Sequence, residues 1–326
     1  MAFLDIAGNT RIKKILKLAL QRGRVPGAVL FCGPEGVGKR ETARTLAKAL
    51  NCLRLSDDSC DDCESCRKID SRTMPDVIEV SPDGDSIGID EMRMLRPFAY
   101  MKPMTGRKRV FLFDEVEKMT DDAANSFLKT LEEPPPFTHI FLVSDNPSLV
   151  LPTVKSRCQT LNFLPVAKED IELALERQGI EKDKAGILAL LVHGNLEEAK
   201  TLDWDEVREK RKEAWALFRA MAVREDDVAF LRTYAFQRRK DIEKSLERTL
   251  DLFYSFCRDV VLLKEGGDPL LLFNPDYERE LRETASSLGL EQALIGLESI
   301  ENSLSALDRN LNVNLIATSL YARITG

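Results

Sequence analysis

The spacing of apolar positions changes several times along the chain. From 11 to 22, Ile12, Ile15, Leu16, Ala19 and Leu20 recur every three or four residues, which predicts an amphipathic helix. A continuous apolar run at 28–32 stops at Gly33, as expected of a strand buried on both faces. Helical spacing returns at 41–50. Further apolar runs lie at 76–80, 109–113, 139–143 and 160–163, and helical stretches at 89–98, 120–131 and 149–155 fall between them. Strands that alternate with helices predict a mostly parallel sheet covered on both faces.

After Pro165 the strand signal ends. Three short helices are predicted at 169–178, 184–192 and 196–202, with breaks at Gly179 and Gly194. From Trp204 the pattern is helical nearly to the end, interrupted at Gly266-Gly267-Asp268-Pro269 and Asn274-Pro275. The expected plan is an α/β domain over 1–165, a small helical lid over 166–203 and an all-α domain over 204–326.

Length and charge narrow this picture. A chain of 326 residues has room for two or three cores. Its 47 Lys and Arg against 54 Asp and Glu give a net charge of −7, which argues against a uniformly basic nucleic-acid binder. No apolar run is long enough to span a membrane, and the first residues lack the basic-then-apolar pattern of a secretory signal, so a cytoplasmic protein is expected. Cys52, Cys60, Cys63 and Cys66 crowd into a C-x7-C-x2-C-x2-C cluster. In a chain without an export signal that clustering points to a metal rather than to disulfides. Four thiolates at this spacing suit a closed tetrahedral zinc site, with an iron–sulfur centre as the rival. Asp57, Asp58, Asp61, Asp62 and Glu64 surround the cysteines and would repel phosphate, which disfavours a zinc module that binds nucleic acid.

Gly33-Pro-Glu-Gly36-Val-Gly38-Lys39 follows a predicted strand and opens a predicted helix, the context of a phosphate-binding loop. Glycines let backbone N–H groups converge on phosphate oxygens, and Lys39 can reach the terminal phosphates. The next residue is Arg40, where such loops carry the Ser or Thr that ligates magnesium; a guanidinium has no acceptor and cannot coordinate a cation. Thr42, the nearest hydroxyl, is two positions further along the helix and points elsewhere. The run 110–113 ends in Asp114-Glu115, the place of a magnesium-assisting acid and of a water-polarising one. Ser156-Arg157-Cys158 lies between a helical stretch and a strand and says little alone.

Taken in order, Phe3-Leu-Asp-Ile-Ala-Gly8, the phosphate loop, the four cysteines, Phe113-Asp114-Glu115, the Leu128-Lys-Thr-Leu-Glu-Glu-Pro-Pro helix ending and Ser156-Arg157-Cys158 resemble the AAA+ clamp-loader subunits of bacterial DNA polymerase III. The resemblance is strong over 2–166 and weaker over the lid. The tail with Asn310-Leu-Asn-Val-Asn314-Leu is similar to the last helix of the family's oligomerising collar. The resemblance implies an AAA+ P-loop sheet with a zinc-binding insertion, a helical lid and a helical collar. It implies phosphate contacts at Gly33, Gly36, Gly38 and Lys39, Walker B acids at Asp114 and Glu115, zinc ligands at Cys52, Cys60, Cys63 and Cys66, and an arginine finger at Arg157.

The family has motor subunits (gamma/tau) and a stator type (delta-prime). Motor subunits carry Thr where this chain has Arg40. Glu198 stands where the lid usually has a cationic nucleotide sensor, and Ser144 takes the first-sensor position. These departures imply the stator type, with negligible ATPase of its own as part of the polymerase holoenzyme, and leave ATP or ADP binding open. The alternative is a motor-type ATPase. The implied partners are the gamma/tau and delta subunits, with the sliding clamp and primer-template DNA reached through the complex.

Overall fold

In a computed structural model the apolar runs at 28–32, 76–80, 109–113, 139–143 and 160–163 become five parallel strands: β1 (Ala28–Cys32), β2 (Val77–Val80), β3 (Arg109–Phe113), β4 (Thr138–Ser144) and β5 (Gln159–Asn162). The structure describes residues 1–82, 84, 86–223, 228–235, 242–309 and 311–325, so Asn310 of the tail motif lies outside the described residues. The strand order is β2-β3-β4-β1-β5. β1 sits between β4 and β5, with Cys32 opposite Ser144 on one side and Asn162 on the other. β1, β3 and β4 are buried along their whole length, which is why they read as continuous apolar runs rather than alternating ones. A parallel sheet with a glycine loop after β1 and two acids after β3 is what the alternating pattern and the resemblance lead one to expect.

The helices of the first half are α1 (Thr10–Gln21), α2 (Lys39–Asn51), α3 (Glu64–Asp70), α4 (Ile89–Ala99), α5 (Asp121–Glu132) and α6 (Pro152–Lys155). On one sheet face Phe111 and Phe113 meet Phe127 of α5 edge-on, with ring centroids 6.2 and 5.5 Å away. On the other, Phe31 packs against Phe141 and Phe163. α5 starts where Thr120 accepts the Ala123 N–H, and Asp121 and Asp122 complement its N-terminal dipole.

The cysteine insertion, expected as a loop, also contains α3. Cys63 caps it by accepting the Cys66 N–H on its sulfur, and Arg67 and Lys68 sit in its last turn. Its acids are largely turned to internal use. Asp58 accepts the Phe3 N–H and pairs with Lys17, while Asp61 and Asp70 both hold the buried Lys48 of α2. Burial alone would lower the Lys48 pKa, but those two carboxylates outweigh it and raise it.

Further along are α7 (Lys168–Arg177), α8 (Lys182–Leu191), α9 (Leu196–Thr201), α10 (Trp204–Val223), α11 (Val228–Tyr234), α12 (Ile242–Lys264), α13 (Glu278–Ser287), α14 (Leu290–Asp308) and α15 (Val313–Thr325). The chain divides into two compact units, Met1–Ile180 with Val192–Lys200 and Glu181–Leu191 with Thr201–Gly326. The residues expected as a separate lid are thus shared: α7 falls in the first unit and α8 in the second. The core of the second unit is built on Trp215, Phe218, Phe253 and Phe256, with α12 running through it. Its buried Arg211 donates its terminal nitrogens to Asp276 and Asn274.

Candidate functional site

Residues 33–38 turn from the end of β1 into α2. The Gly33 N–H donates to the Ser144 carbonyl at 3.3 Å, which ties the loop to the end of β4. Gly36 has φ +69°, and a Cβ there would lie 1.6 Å from the Asn195 side-chain oxygen, so any other residue would be strained and would displace Asn195. The Gly36 carbonyl accepts the N–H groups of Leu196 at 3.0 Å and Glu197 at 3.3 Å. The loop tip therefore satisfies two free donors at the start of α9, and Asn195 satisfies a third by accepting the Glu198 N–H.

Lys39 is buried, and its ammonium is already bonded. It donates to the Gly33 carbonyl at 2.8 Å and to the Pro34 carbonyl, and it pairs with Asp145 Oδ1 at 2.6 Å. Asp145 follows β4 directly and is held there by Glu117, which accepts the Asp145 and Asn146 N–H groups. Arg40 reaches across to the other acid of the site: its Nη1 is 2.9 Å from Asp114 Oδ2, and its Nη2 lies 3.7 Å from Glu79. Arg44 grips Glu79 with two nitrogens. Burial pushes the Asp114 carboxyl above its ordinary value while Arg40 pulls it back. Glu115 sits at φ +48° and pairs with Lys118. Thr42 donates its hydroxyl to the Gly38 carbonyl at 2.6 Å, so it does not replace the missing loop hydroxyl. The buried Ser144 hydroxyl makes no hydrogen bond.

These residues do not fit a magnesium nucleotide. A guanidinium occupies Asp114 where a cation would be assisted, and a carboxylate occupies Lys39 where phosphate would sit. Gly33, Gly36 and Gly38 all have positive φ, while the charges beside them are satisfied internally.

Arg157 stands apart from that set. Its Nη1 donates to the Thr153 carbonyl at 3.0 Å, and its Nε is 3.4 Å from Glu132 at the end of α5. The side chain keeps 30% of its surface exposed. α6, opened by Pro152, places it.

The ligand atoms of Cys52, Cys60, Cys63 and Cys66 lie within 4.8 Å of one another, so the cluster could hold a metal ion. The sulfurs of Cys52, Cys60 and Cys63 accept N–H groups from Leu55, Cys63 and Cys66 at 3.3–3.4 Å. Burial opposes ionisation of Cys63, but the N–H groups of Leu53 and Cys66 outweigh it and bring the thiol down to about 6. Burial pushes Cys66 up instead. A group of sulfurs within bonding reach of one centre, with donors aimed at them, fits a tetrahedral thiolate site.

Asp145, Glu79, Asn195 and Lys48 went unnoticed in the sequence. Glu79 carried a signal, since an acid inside the apolar run Val77-Ile-Glu-Val80 needs a buried partner. Asp145 follows the β4 run, but its role depends on β4 lying beside β1.

The family described as "DNA polymerase III, delta subunit" matches residues 8–167. DNA polymerase III subunit delta' of Bacillus subtilis is 28% identical over 303 residues, 93% of this chain and 92% of its own. DNA polymerase III subunit tau of the same organism is 32% identical over 207 residues, 61% of this chain but only 37% of its own length. Among solved structures, the Thermotoga maritima RuvB Holliday junction branch migration motor is 18% identical, covering 88% of this chain and 87% of its own, at a TM-score of 0.43. With the family match over the sheet domain and a relative aligned over nearly its whole length, the chain belongs to the clamp-loader family of DNA polymerase III subunits.

Proposed function

We propose that this chain is a delta-prime-type clamp-loader subunit, a stator that hydrolyses little or no ATP and supplies Arg157 to a neighbouring ATPase subunit while the sliding clamp is loaded. The Arg40–Asp114 ion pair carries the reading. Phosphoryl transfer depends on positioning and charge neutralisation, and here the acid that would assist magnesium neutralises an arginine of its own chain. In this reading Gly33, Gly36, Gly38, Lys39 and Asp114 are the remains of a nucleotide site and Glu115 is a vestigial Walker B acid. ATP or ADP binds only if phosphate displaces Asp145 from Lys39.

The finger role of Arg157 rests on its exposure and on contacts that leave the guanidinium at the surface. Facing a neighbour's nucleotide, its planar fork would neutralise charge on the transferring phosphoryl group, an effect worth ~10³–10⁵ in rate when supplied in trans. Zinc, held by Cys52, Cys60, Cys63 and Cys66, would cross-link the insertion with no open coordination position. The helices from 204 to 326 carry the assembly surface, and the partners are the gamma/tau and delta subunits, with the clamp and primer-template DNA reached through the complex in the cytoplasm.

A motor-type reading has one observation in its favour, the retained loop glycines and Asp114-Glu115. Steady-state ATPase of the isolated chain separates the two. The stator reading expects no turnover above background. A rate of about 1 s⁻¹ or faster, lost in Lys39→Ala, would overturn it.

A further inference from the structure

Charge is unevenly spread in this acidic chain. Between residues 11 and 24 lie Arg11, Lys13, Lys14, Lys17, Arg22 and Arg24, with no acid among them, although the whole chain carries −7. Two of the six serve the fold: Lys13 donates to the Ile6 carbonyl and Lys17 pairs with Asp58. The other four, Arg11, Lys14, Arg22 and Arg24, are exposed, and their side chains make no hydrogen bond or ion pair among the described residues. Exposed cations elsewhere are commonly paired along their own helix, as Lys68 is with Glu64, Lys210 with Glu206 and Arg282 with Glu278.

Helix stability accounts for only two of the four. Arg22 and Arg24 follow the C-terminus of α1, where the dipole favours a cation. Arg11 and Lys14 lie at the opposite end, where it disfavours one, and no acid in the first turn compensates them. The core does not explain them either, because α1 buries Ile12, Leu16 and Leu20 on its other side. At 3.6 residues per turn Arg11, Lys14 and Arg22 share one outer face, spread over about 16 Å of helix.

We propose that this outer face of α1 binds the phosphate backbone of nucleic acid without sequence preference. Three of the four free cations are arginines, whose planar fork matches paired phosphate oxygens. Membership of a DNA polymerase III family favours nucleic acid over an acidic protein as the polyanion. The proposal rests on that membership and not on the stator reading, which uses none of these residues.

The test uses the zinc-loaded full chain and a fluorescein-labelled 30-base-pair duplex of arbitrary sequence, followed by anisotropy between 50 and 200 mM NaCl. Each phosphate contact contributes about −0.9 to the slope of log affinity against log salt, so the four cations predict a slope of about −3.6 and a loss of roughly 100-fold over that range. The triple variant Arg11→Gln, Lys14→Gln, Arg22→Gln should keep its circular dichroism spectrum, bind at least about tenfold more weakly at 50 mM and show a slope near −1. Absence of binding at 50 mM, or a triple variant with unchanged affinity and slope, would overturn the proposal. So would poly-L-glutamate competing as well as DNA at equal charge, which would assign the face to an acidic protein.

Discussion

Replacing Arg40 by Thr tests whether the ion pair with Asp114 is what closes the loop to magnesium. In the native chain the guanidinium lies 2.9 Å from Asp114, whose side chain is 15% exposed, while 34% of the arginine is exposed. Coulomb's law at the effective dielectric of a protein surface gives about 6 kcal/mol at that separation. Desolvation of both groups and screening of the exposed arginine reduce that to about 1–2 kcal/mol net. Asp114 already sits above its ordinary value through burial, with Asp145 and Glu115 adding to the rise. Removing Arg40 takes away its largest opposing influence, so the carboxyl rises further. A carboxyl raised in the folded state costs stability above that raised value, and the cost disappears once pH falls below the unfolded value. Arg40→Thr should therefore lower unfolding stability by about 1–2 kcal/mol at pH 7, with the deficit shrinking toward pH 4. Urea titrations at the two pH values read this directly. Millimolar magnesium should stabilise the variant and not the native chain, because Asp114 is then free to assist a cation beside the new hydroxyl. ATP turnover should stay at background, since Asp145 still holds Lys39. Equal stability at both pH values, together with no magnesium effect, would refute the reasoning.

Metal analysis of protein purified without chelator should find one zinc per chain, and Cys63→Ser should lose it; iron, or no metal, would contradict the assignment. Because Asp61 and Asp70 of the insertion neutralise the buried Lys48, that loss should reach α2 and lower stability by about 3 kcal/mol in a denaturant titration, rather than loosening the insertion alone. Asp76 is fully buried and holds the turn before β3 through the N–H groups of Met104, Thr105 and Gly106 and the guanidinium of Arg109. Burial opposes its ionisation, but those donors bring it down to about 2, so its contribution of about 2 kcal/mol is complete above the unfolded carboxyl value and is lost as pH falls through 2. Asp76→Asn should cost about 3–5 kcal/mol at pH 7, because it strands the buried Arg109, and a smaller change in the urea midpoint would refute the pairing.

Much of the fold was legible because the sheet is buried on both faces. Runs such as 28–32 and 110–113 are apolar at every position, and only a short helix or a central strand produces that pattern. The chemistry was legible where it depends on close spacing, as in Gly33–Lys39 or Cys60-x2-Cys63-x2-Cys66. What escaped were partners far apart in sequence. That Lys39 meets Asp145 follows from β4 lying next to β1, and that Lys48 meets Asp61 and Asp70 follows from the insertion folding back on α2. α3 escaped because its cap is a cysteine sulfur, a residue type that does not ordinarily announce a helix start.

The account turns on Arg157 acting on a neighbour, and the most direct measurement is the DNA- and clamp-stimulated ATPase of a loader reconstituted with Arg157→Ala. Folding, zinc content and assembly should be unchanged, because the contacts of this arginine are a carbonyl, a hydroxyl and one exposed carboxylate. Only the nucleotide site facing this subunit loses its finger, so the stimulated rate should fall by the share of that site while the others continue. Arg157→Lys should restore part of the loss, since an ammonium keeps the charge without the planar fork. An Arg157→Ala complex with native ATPase and native clamp loading would contradict the account and leave Arg157 as a structural residue at the end of α6.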